Sequence, residues 1–595
     1  MLLIRRIDAF VKGYISGVQS KLTKRQFMML SSMLVGLSAG LVAITLKSFA
    51  HYIFKFATHN SLSDLRFFYL LLPAIGIFLS LFIVKRFYGN KIQKGLGQVH
   101  YALAKRSSFL PRRNMFDQFF TSSVTVGFGG STGLEAPIVV TGAAFGSNFA
   151  KSYGLNYKER TLLLACGIAA GIAAAFNAPI AGVLFALEVL LVDIGIGAFT
   201  LLIIASASGA LVSKMILDES ILLNFVLTES FNYLNIPFYV LLGILAGFIA
   251  VVHSRVFMRV EVILNHSVKS NIKKWLLSSF LLITLIALFP PLFGEGYESI
   301  KILSLDQPKR LFDNSIIQFT KNNEFLMLIF VGALVFLKSI ATGLTIGGGG
   351  NGGNFAPSLF IGAYLGFFVA KFVNFFKWND LPETNFMMVG MAGILSGLYH
   401  APLTAIFLIA EITGGYGLMI PLMLVSSISY VISKYFEPFP MDSKKLARKG
   451  EVFTSDKDQN VLTGIKLSEF VEREFEKLSP TLDLRELVQV VAHSKRNVFP
   501  VVNEYNMFIG ILLLDDIREI MFNVGMYDKV KVVDLMRNPL EIIQLNASMN
   551  DVMRAFDETE AWILPVLDGE MYEGFVTKSK LFTGYRKRLK DLNLD

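Results

Sequence analysis

A glycine-rich segment occurs twice in this chain, each time inside apolar sequence of membrane length. Residues 129–146 read GGSTGLEAPIVVTGAAFG, and residues 349–366 read GGNGGNFAPSLFIGAYLG. Aligned without gaps, Gly130, Gly133, Ala136, Pro137, Gly142 and Gly146 fall on Gly350, Gly353, Ala356, Pro357, Gly362 and Gly366. Glycine and proline within lipid strand backbone polar groups unless those groups line a cavity. Two such interruptions in matching halves mark the midplane site of an inverted-repeat transporter. The pattern therefore predicts a membrane transport protein with its substrate between the two segments.

Composition agrees with that class. Hydrophobic residues make up 53% of the chain and charged residues only 17%, against about 25% charged in soluble domains. The net charge of +10 raises nucleic-acid binding as an alternative, but the basic residues cluster beside apolar spans. Arg5, Arg6, Lys12, Lys21, Lys24 and Arg25 precede the first span, and Lys444, Lys445, Arg448 and Lys449 follow the last. By the positive-inside rule both termini are expected on the cytoplasmic side, with no nucleic-acid partner. Residues 1–26 carry Ile4, Ile7, Phe10, Val11, Ile15 and Val18 at helical spacing, which predicts an interfacial helix. The lone cysteine, Cys166, excludes an intramolecular disulfide and a cysteine-based zinc site.

Spans or half-spans are expected at 27–57, 66–86, 117–150, 160–193, 195–216, 233–257, 275–293, 323–346, 352–376, 385–412 and 415–436. The repeat continues beyond its first motif. FNAPIAGVLFALEV (176–189) matches YHAPLTAIFLIAEI (399–412), placing Ala178-Pro179 on Ala401-Pro402 and Glu188 on Glu411. Two membrane halves follow, 27–216 and 217–440. From residue 441 to 595 charged residues are frequent and no run is long enough to span. This last part holds its own repeat, about 468–525 and 532–588. Each copy reads as an amphipathic helix, a strand containing proline, a turn, a second strand and a closing helix.

The chemistry of the central segments points to an anion. A helix starting near Glu135 and another near Phe355 would aim unpaired backbone N–H groups at one cavity. Glu135 itself stands among those donors. A carboxylate can occupy an anion site and leave it when protonated or displaced, so Glu135 is a candidate gate and proton carrier. The other reading is a first-turn carboxylate that only complements the helix dipole.

These motifs resemble the CLC family of chloride channels and chloride/proton antiporters. The resemblance rests on Gly133-Leu134-Glu135-Ala136-Pro137, Gly353-Asn354-Phe355-Ala356-Pro357 and Phe176-Asn177-Ala178-Pro179 with the trailing Glu188, and it spans about residues 30–436. The terminal repeat resembles a pair of CBS modules. The resemblance implies an all-α polytopic inverted-repeat fold with broken, tilted helices, followed by an α/β CBS pair. It also implies a homodimer in a membrane, with one anion pathway per subunit. The amides of Leu134, Glu135, Ala136, Asn354, Phe355 and Ala356 would hold chloride or another small anion, and Glu135 would be the gating glutamate.

Three departures qualify the resemblance. Val189 stands where antiporters of the family carry an internal glutamate, and valine cannot relay a proton. Glu188 and Asp193 are the nearby proton-path candidates, with a structural helix-end role as the alternative for both. The central serine is replaced by Lys94 or Leu96, depending on the alignment. Asp442 falls at the position of the inner-gate tyrosine, where an acid would repel anions unless paired with Lys444 or Lys445. In the CBS pair the nucleotide motif is split: the first module keeps Asp516 without its hydroxyl partner, and the second keeps Thr577 without its acid. An adenine nucleotide is the one cofactor these residues suggest, with packing as the alternative role. Val189 places gated, channel-like conduction first. Coupled chloride/proton antiport comes second, and an adenylate-sensing membrane anchor third. No zinc-protease or nucleophile-elbow motif points to an enzyme. The expected location is a bacterial inner membrane.

Overall fold

The computed structural model describes residues 21–59, 68–89, 95–189, 196–216, 231–313, 315–317, 323–447, 467–584 and 586. Contacts divide the chain into two units, Met1–Ala447 and Arg448–Asp595. The interfacial helix expected over 1–26 falls almost wholly outside the described residues.

The first unit is helical and built twice. Its first half contains α1 (Lys24–His59), α2 (Leu72–Tyr88), α3 (Gly97–Lys105), α4 (Asp117–Gly127), α5 (Glu135–Ser152), α6 (Tyr157–Phe176), α7 (Pro179–Glu188) and α8 (Ile196–Ile216). Its second half contains α9 (Ile236–Ser267), α10 (Asn271–Leu288), α11 (Tyr297–Ser304), α12 (Glu324–Gly347), α13 (Phe355–Phe375), α14 (Glu383–Tyr399), α15 (Pro402–Ile412) and α16 (Met419–Phe436). Among the described residues nine helices are long and apolar enough to cross a membrane. The chain is a multi-pass integral membrane protein. The same partners pack in each half: α5 on α6 and α13 on α14, α1 on α8 and α9 on α16, α6 on α8 and α14 on α16.

Close crossings explain several of the repeated glycines. A Cβ on Gly142 would lie 2.3 Å from the Gly167 carbonyl oxygen, and one on Gly362 would lie 2.4 Å from that of Gly390. Only glycine lets these helix pairs touch backbone to backbone. The long apolar stretches break where the backbone turns left-handed. Asn177 (φ 53°) ends α6 and His400 (φ 55°) ends α14, and Ala-Pro then starts a new short helix in each half. The stretches expected as 160–193 and 385–412 are thus each two helices. The stretch 117–150 likewise divides into α4 and α5.

The second unit contains both copies of the terminal repeat. In the first, Asp483 caps the helix Leu484–His493, and strands Val498–Val502 and Phe508–Leu513 pair antiparallel. In the second, Ser548 caps Met549–Thr559. Strand Ile563–Asp568 pairs antiparallel with Met571–Thr577 and parallel with Ile543–Gln544. The strand prolines, Pro500 and Pro565, occupy equivalent places in the two copies.

Candidate functional site

The two glycine-rich loops meet. Gly133 N–H donates to the Gly353 carbonyl at 3.0 Å, and Gly353 N–H donates to the Gly133 carbonyl at 2.8 Å. These are equivalent residues of the repeat exchanging both hydrogen bonds, so a local two-fold axis passes between them. The same axis relates the short helices. Glu188, at the end of α7, accepts from Leu403 N (3.1 Å), Thr404 N (2.7 Å) and Thr404 Oγ1 (2.7 Å) at the start of α15. Glu411, at the end of α15, accepts from Ile180 N (3.0 Å) and Ala181 N (2.8 Å) at the start of α7. Each carboxylate caps the helix that carries the other. Glu188 thus makes the contacts of the helix-end role, and Val189 is buried beside it.

From the loop bridge two helices start, α5 at Glu135 and α13 at Phe355. At two helix starts of this unit the N-cap side chain serves the first turn, Asn156 for α6 and Asn323 for α12. Neither α5 nor α13 has such a cap. Proline at the third position contributes no donor, and the first turn closes with Ile138 N–H to Leu134 O and Ser358 N–H to Asn354 O. The amides of Glu135, Ala136, Phe355 and Ala356 are left without an acceptor among the described residues, all four in buried positions. Such helix starts favour a negative charge. The amide of Leu134 departs from the expectation: it donates to Glu295 Oε1 at 3.1 Å, so a side chain already holds it.

Glu135 is 1% exposed. Its Oε1 accepts from the Tyr297 hydroxyl at 2.8 Å, while Oε2 accepts no hydrogen bond among the described residues. Oε2 folds back over Gly133, where a Cβ would stand 2.3 Å away; a side chain there would expel the carboxylate. Two lysines flank the acids, Lys338 buried and Lys47 half-buried. Lys338 is fully buried and donates to Gly294 O at 2.8 Å. Lys47 donates to Ala175 O and lies 4.9 Å above the Phe176 ring, within electrostatic reach of Glu135 and Glu295. Phe355 packs against Phe176, Phe185 and Tyr399, with ring centroids 5.4, 6.1 and 5.6 Å away.

The sequence reading missed Glu295, Tyr297, Lys47 and Lys338. A signal existed for the lysines, because Lys47 and Lys338 each stand alone in an apolar run, and intramembrane charges are functional by default. Lys94 and Asp193 lie outside the described residues. Leu96, the alternative to Lys94, is buried. Asp442 is half-buried next to Gly97. Tyr399 is within electrostatic reach of both Asp442 and Glu135. Lys444 pairs with Glu437 at 2.8 Å. In the second unit, Asp516 Oδ2 accepts from Leu513 N at 3.1 Å, capping its own helix. The Thr577 hydroxyl donates to Glu472 Oε1 at 2.7 Å.

This is the architecture of an inverted-repeat anion transporter. The chain belongs to the voltage gated chloride channel family, which it matches over residues 75–434, and it matches the CBS domain over residues 467–523. It is 26% identical over 436 residues to the H(+)/Cl(-) exchange transporter ClcA of Vibrio cholerae serotype O1, covering 70% of this chain and 88% of that one. It is 28% identical to the chloride channel protein CLC-f of Arabidopsis thaliana, over 68% of this chain and 56% of that protein. The solved structure of a slow cyanobacterial Cl-/H+ antiporter has the same fold, with a TM-score of 0.59 at 23% identity, covering 72% of this chain and 98% of that one.

Proposed function

We propose that the chain exchanges chloride, or a similar small anion, for protons across the membrane, with Glu135 as the gate that carries the proton. The observation behind this reading is the Glu135 carboxylate itself. It lies buried among four amides without acceptors and is held by one hydroxyl, so protonation or a competing anion can release it. The likeness to the Vibrio cholerae exchanger supports exchange ahead of the channel-like conduction that Val189 placed first. Val189 still favours uncoupled conduction, because no carboxylate stands at that position.

The working unit is proposed to be a homodimer. Helices α7 and α15 are too short to span, and each ends in a carboxylate. Ile180, Ile203 and Leu403 are exposed on that side. Interrupted backbone is not left facing lipid, so a second copy covering this face satisfies it. The flanking lysines and arginines support cytoplasmic termini.

Liposomes loaded with high chloride and placed in low chloride, without a proton gradient, test the exchange. Chloride efflux that drives protons uphill into the liposome, and that stops doing so in Glu135→Gln, is the expected result. Chloride efflux with no proton movement in the unaltered protein refutes exchange in favour of the channel reading.

A further inference from the structure

We propose that Glu295 is a second gating carboxylate, which competes with the transported anion for the Leu134 amide and yields it on taking up a proton. This deepens the function proposed above and rests on its anion site. Leu134 belongs to the loop whose amides face the gate, and Glu295 Oε1 holds its N–H at 3.1 Å. An anion seated at the start of α5 gains that donor only when Glu295 yields it.

The surroundings make its departure a proton-linked event. Glu295 faces Glu135 from α5, Lys47 from α1, Lys338 from α12 and Tyr297 from α11. Two carboxylates and two ammonium groups balance when all four are charged. Bringing in an anion adds one uncompensated negative charge to a site of low dielectric. Uptake of one proton by a carboxylate restores the balance. Glu135 is 1% exposed and its Oε1 is held by Tyr297, whereas Glu295 keeps part of its surface exposed. Water can therefore deliver the proton to Glu295. The proton binds a carboxylate oxygen, and the neutral acid becomes a weaker acceptor for Leu134 N–H. The anion then accepts that N–H in its place. When the anion leaves, Glu295 gives up the proton and re-forms the contact. No other reactant is required.

The backbone holds Glu295 in place for this. It lies between Gly294 (φ 66°) and Gly296 (φ 99°), left-handed positions that suit glycine. A Cβ on Gly296 would stand 2.4 Å from the Phe360 ring. Gly294 is tied on both sides, by its N–H to Gly129 O at 2.9 Å and by its carbonyl to Lys338. The carboxylate can move while its loop stays fixed.

Isothermal titration of the purified full-length protein with chloride, at about pH 9 and about pH 6, tests the proposal by spanning the upper range in which buried carboxylates titrate. The unaltered protein should bind chloride about tenfold more tightly at the lower pH, the size of one charge-assisted hydrogen bond regained. Glu295→Gln should bind tightly at both pH values and lose most of that dependence. Glu295→Asp is the second variant. Its shorter side chain reaches Leu134 less well, so it should bind more tightly than the unaltered protein at the higher pH and remain pH-sensitive. Unchanged affinity and pH dependence in Glu295→Gln overturn the proposal. If Glu295→Gln does not fold, a Glu295→Asp protein that binds like the unaltered one overturns it. Equilibrium binding separates this test from that of exchange. A protein that moves chloride without protons, yet responds to Glu295→Gln, sinks exchange and keeps the second gate. One that exchanges, yet ignores the substitution in the titration, does the reverse.

Discussion

Removing the Glu188 carboxylate tests the reciprocal caps directly. In Glu188→Ala, three donors at the start of α15 lose their acceptor. Leu403 is exposed, so solvent or a neighbouring chain can serve its amide, but Thr404 is 1% exposed and keeps two buried donors without a partner. Each such donor costs about 1–3 kcal/mol, and the lost charge at a helix start adds about 0.3–1 kcal/mol. The destabilisation should therefore be about 2–7 kcal/mol. Glu411→Ala leaves only the Ala181 amide fully buried without an acceptor, for about 1–3 kcal/mol. Thermal unfolding of the detergent-purified protein should rank unaltered protein above Glu411→Ala, and Glu411→Ala above Glu188→Ala. Thr404→Val should cost about 1 kcal/mol in the unaltered background but recover part of the loss in Glu188→Ala, where it removes one of the unpaired donors. The reasoning fails if Glu188→Ala melts like the unaltered protein, or if Glu411→Ala is the more damaging change. A Glu188→Gln protein with an unchanged melt but no proton flux would instead place Glu188 on the proton path.

Two further outcomes follow from the geometry. Gly142→Ala and Gly362→Ala push a methyl into the facing backbone at 2.3 and 2.4 Å, so each should cost about 1–3 kcal/mol as overpacking, read as a lower melting midpoint of the detergent-purified protein. Gly154→Ala, with open space but φ 65°, should cost only the left-handed strain of about 1–2 kcal/mol. In the second unit, burial pushes the Glu472 carboxyl up, but hydrogen bonds from Thr577 and Arg496 outweigh it and hold the group below the ordinary value of 4.5. A lowered carboxylate contributes stability above its unfolded value and loses it as pH falls through the folded value. The Glu472 link between the modules, 2.9 Å to Arg496 and 2.7 Å to Thr577, should therefore hold at neutral pH and fail below pH 4.5. Calorimetry of the full chain should show the transition of the second unit falling in that range, and Glu472→Gln should lower it at neutral pH and remove the dependence.

Much of the fold was legible because both halves keep the residues that backbone geometry demands. Gly142 and Gly362 survive at close crossings, Pro179 and Pro402 at restarted helices, and Glu188 and Glu411 at caps. The exchange of those caps could not be read from either copy alone, because it follows from the two-fold axis, and one sequence carries no direction. The start of α5 was legible for a local reason, since a carboxylate before Ala-Pro after a run of glycines is a first-turn residue wherever the chain places it. Glu295 and Tyr297 were not legible. They reach Leu134 and Glu135 across 161 and 162 residues, and nothing local in GEGYE announces the contact.

The repeat shows where such residues belong. Helices α3 and α11 hold the same place in their halves, each short and each preceded by a glycine turn, at Gly95 and Gly296. The family resemblance points to the loop before α3, at Lys94 or Leu96. By the two-fold axis the loop before α11 is the counterpart of that loop, and it carries Glu295. The symmetry is broken in chemistry, not in backbone. One half places Glu135 at its helix start and the other places Phe355, so only one set of amides has a carboxylate of its own. A pathway with identical ends would bind an anion equally from either half. The two acids, with Lys47 and Lys338 within electrostatic reach, break the symmetry of the scaffold in charge, and on the function proposed above that is where protons and anions would compete.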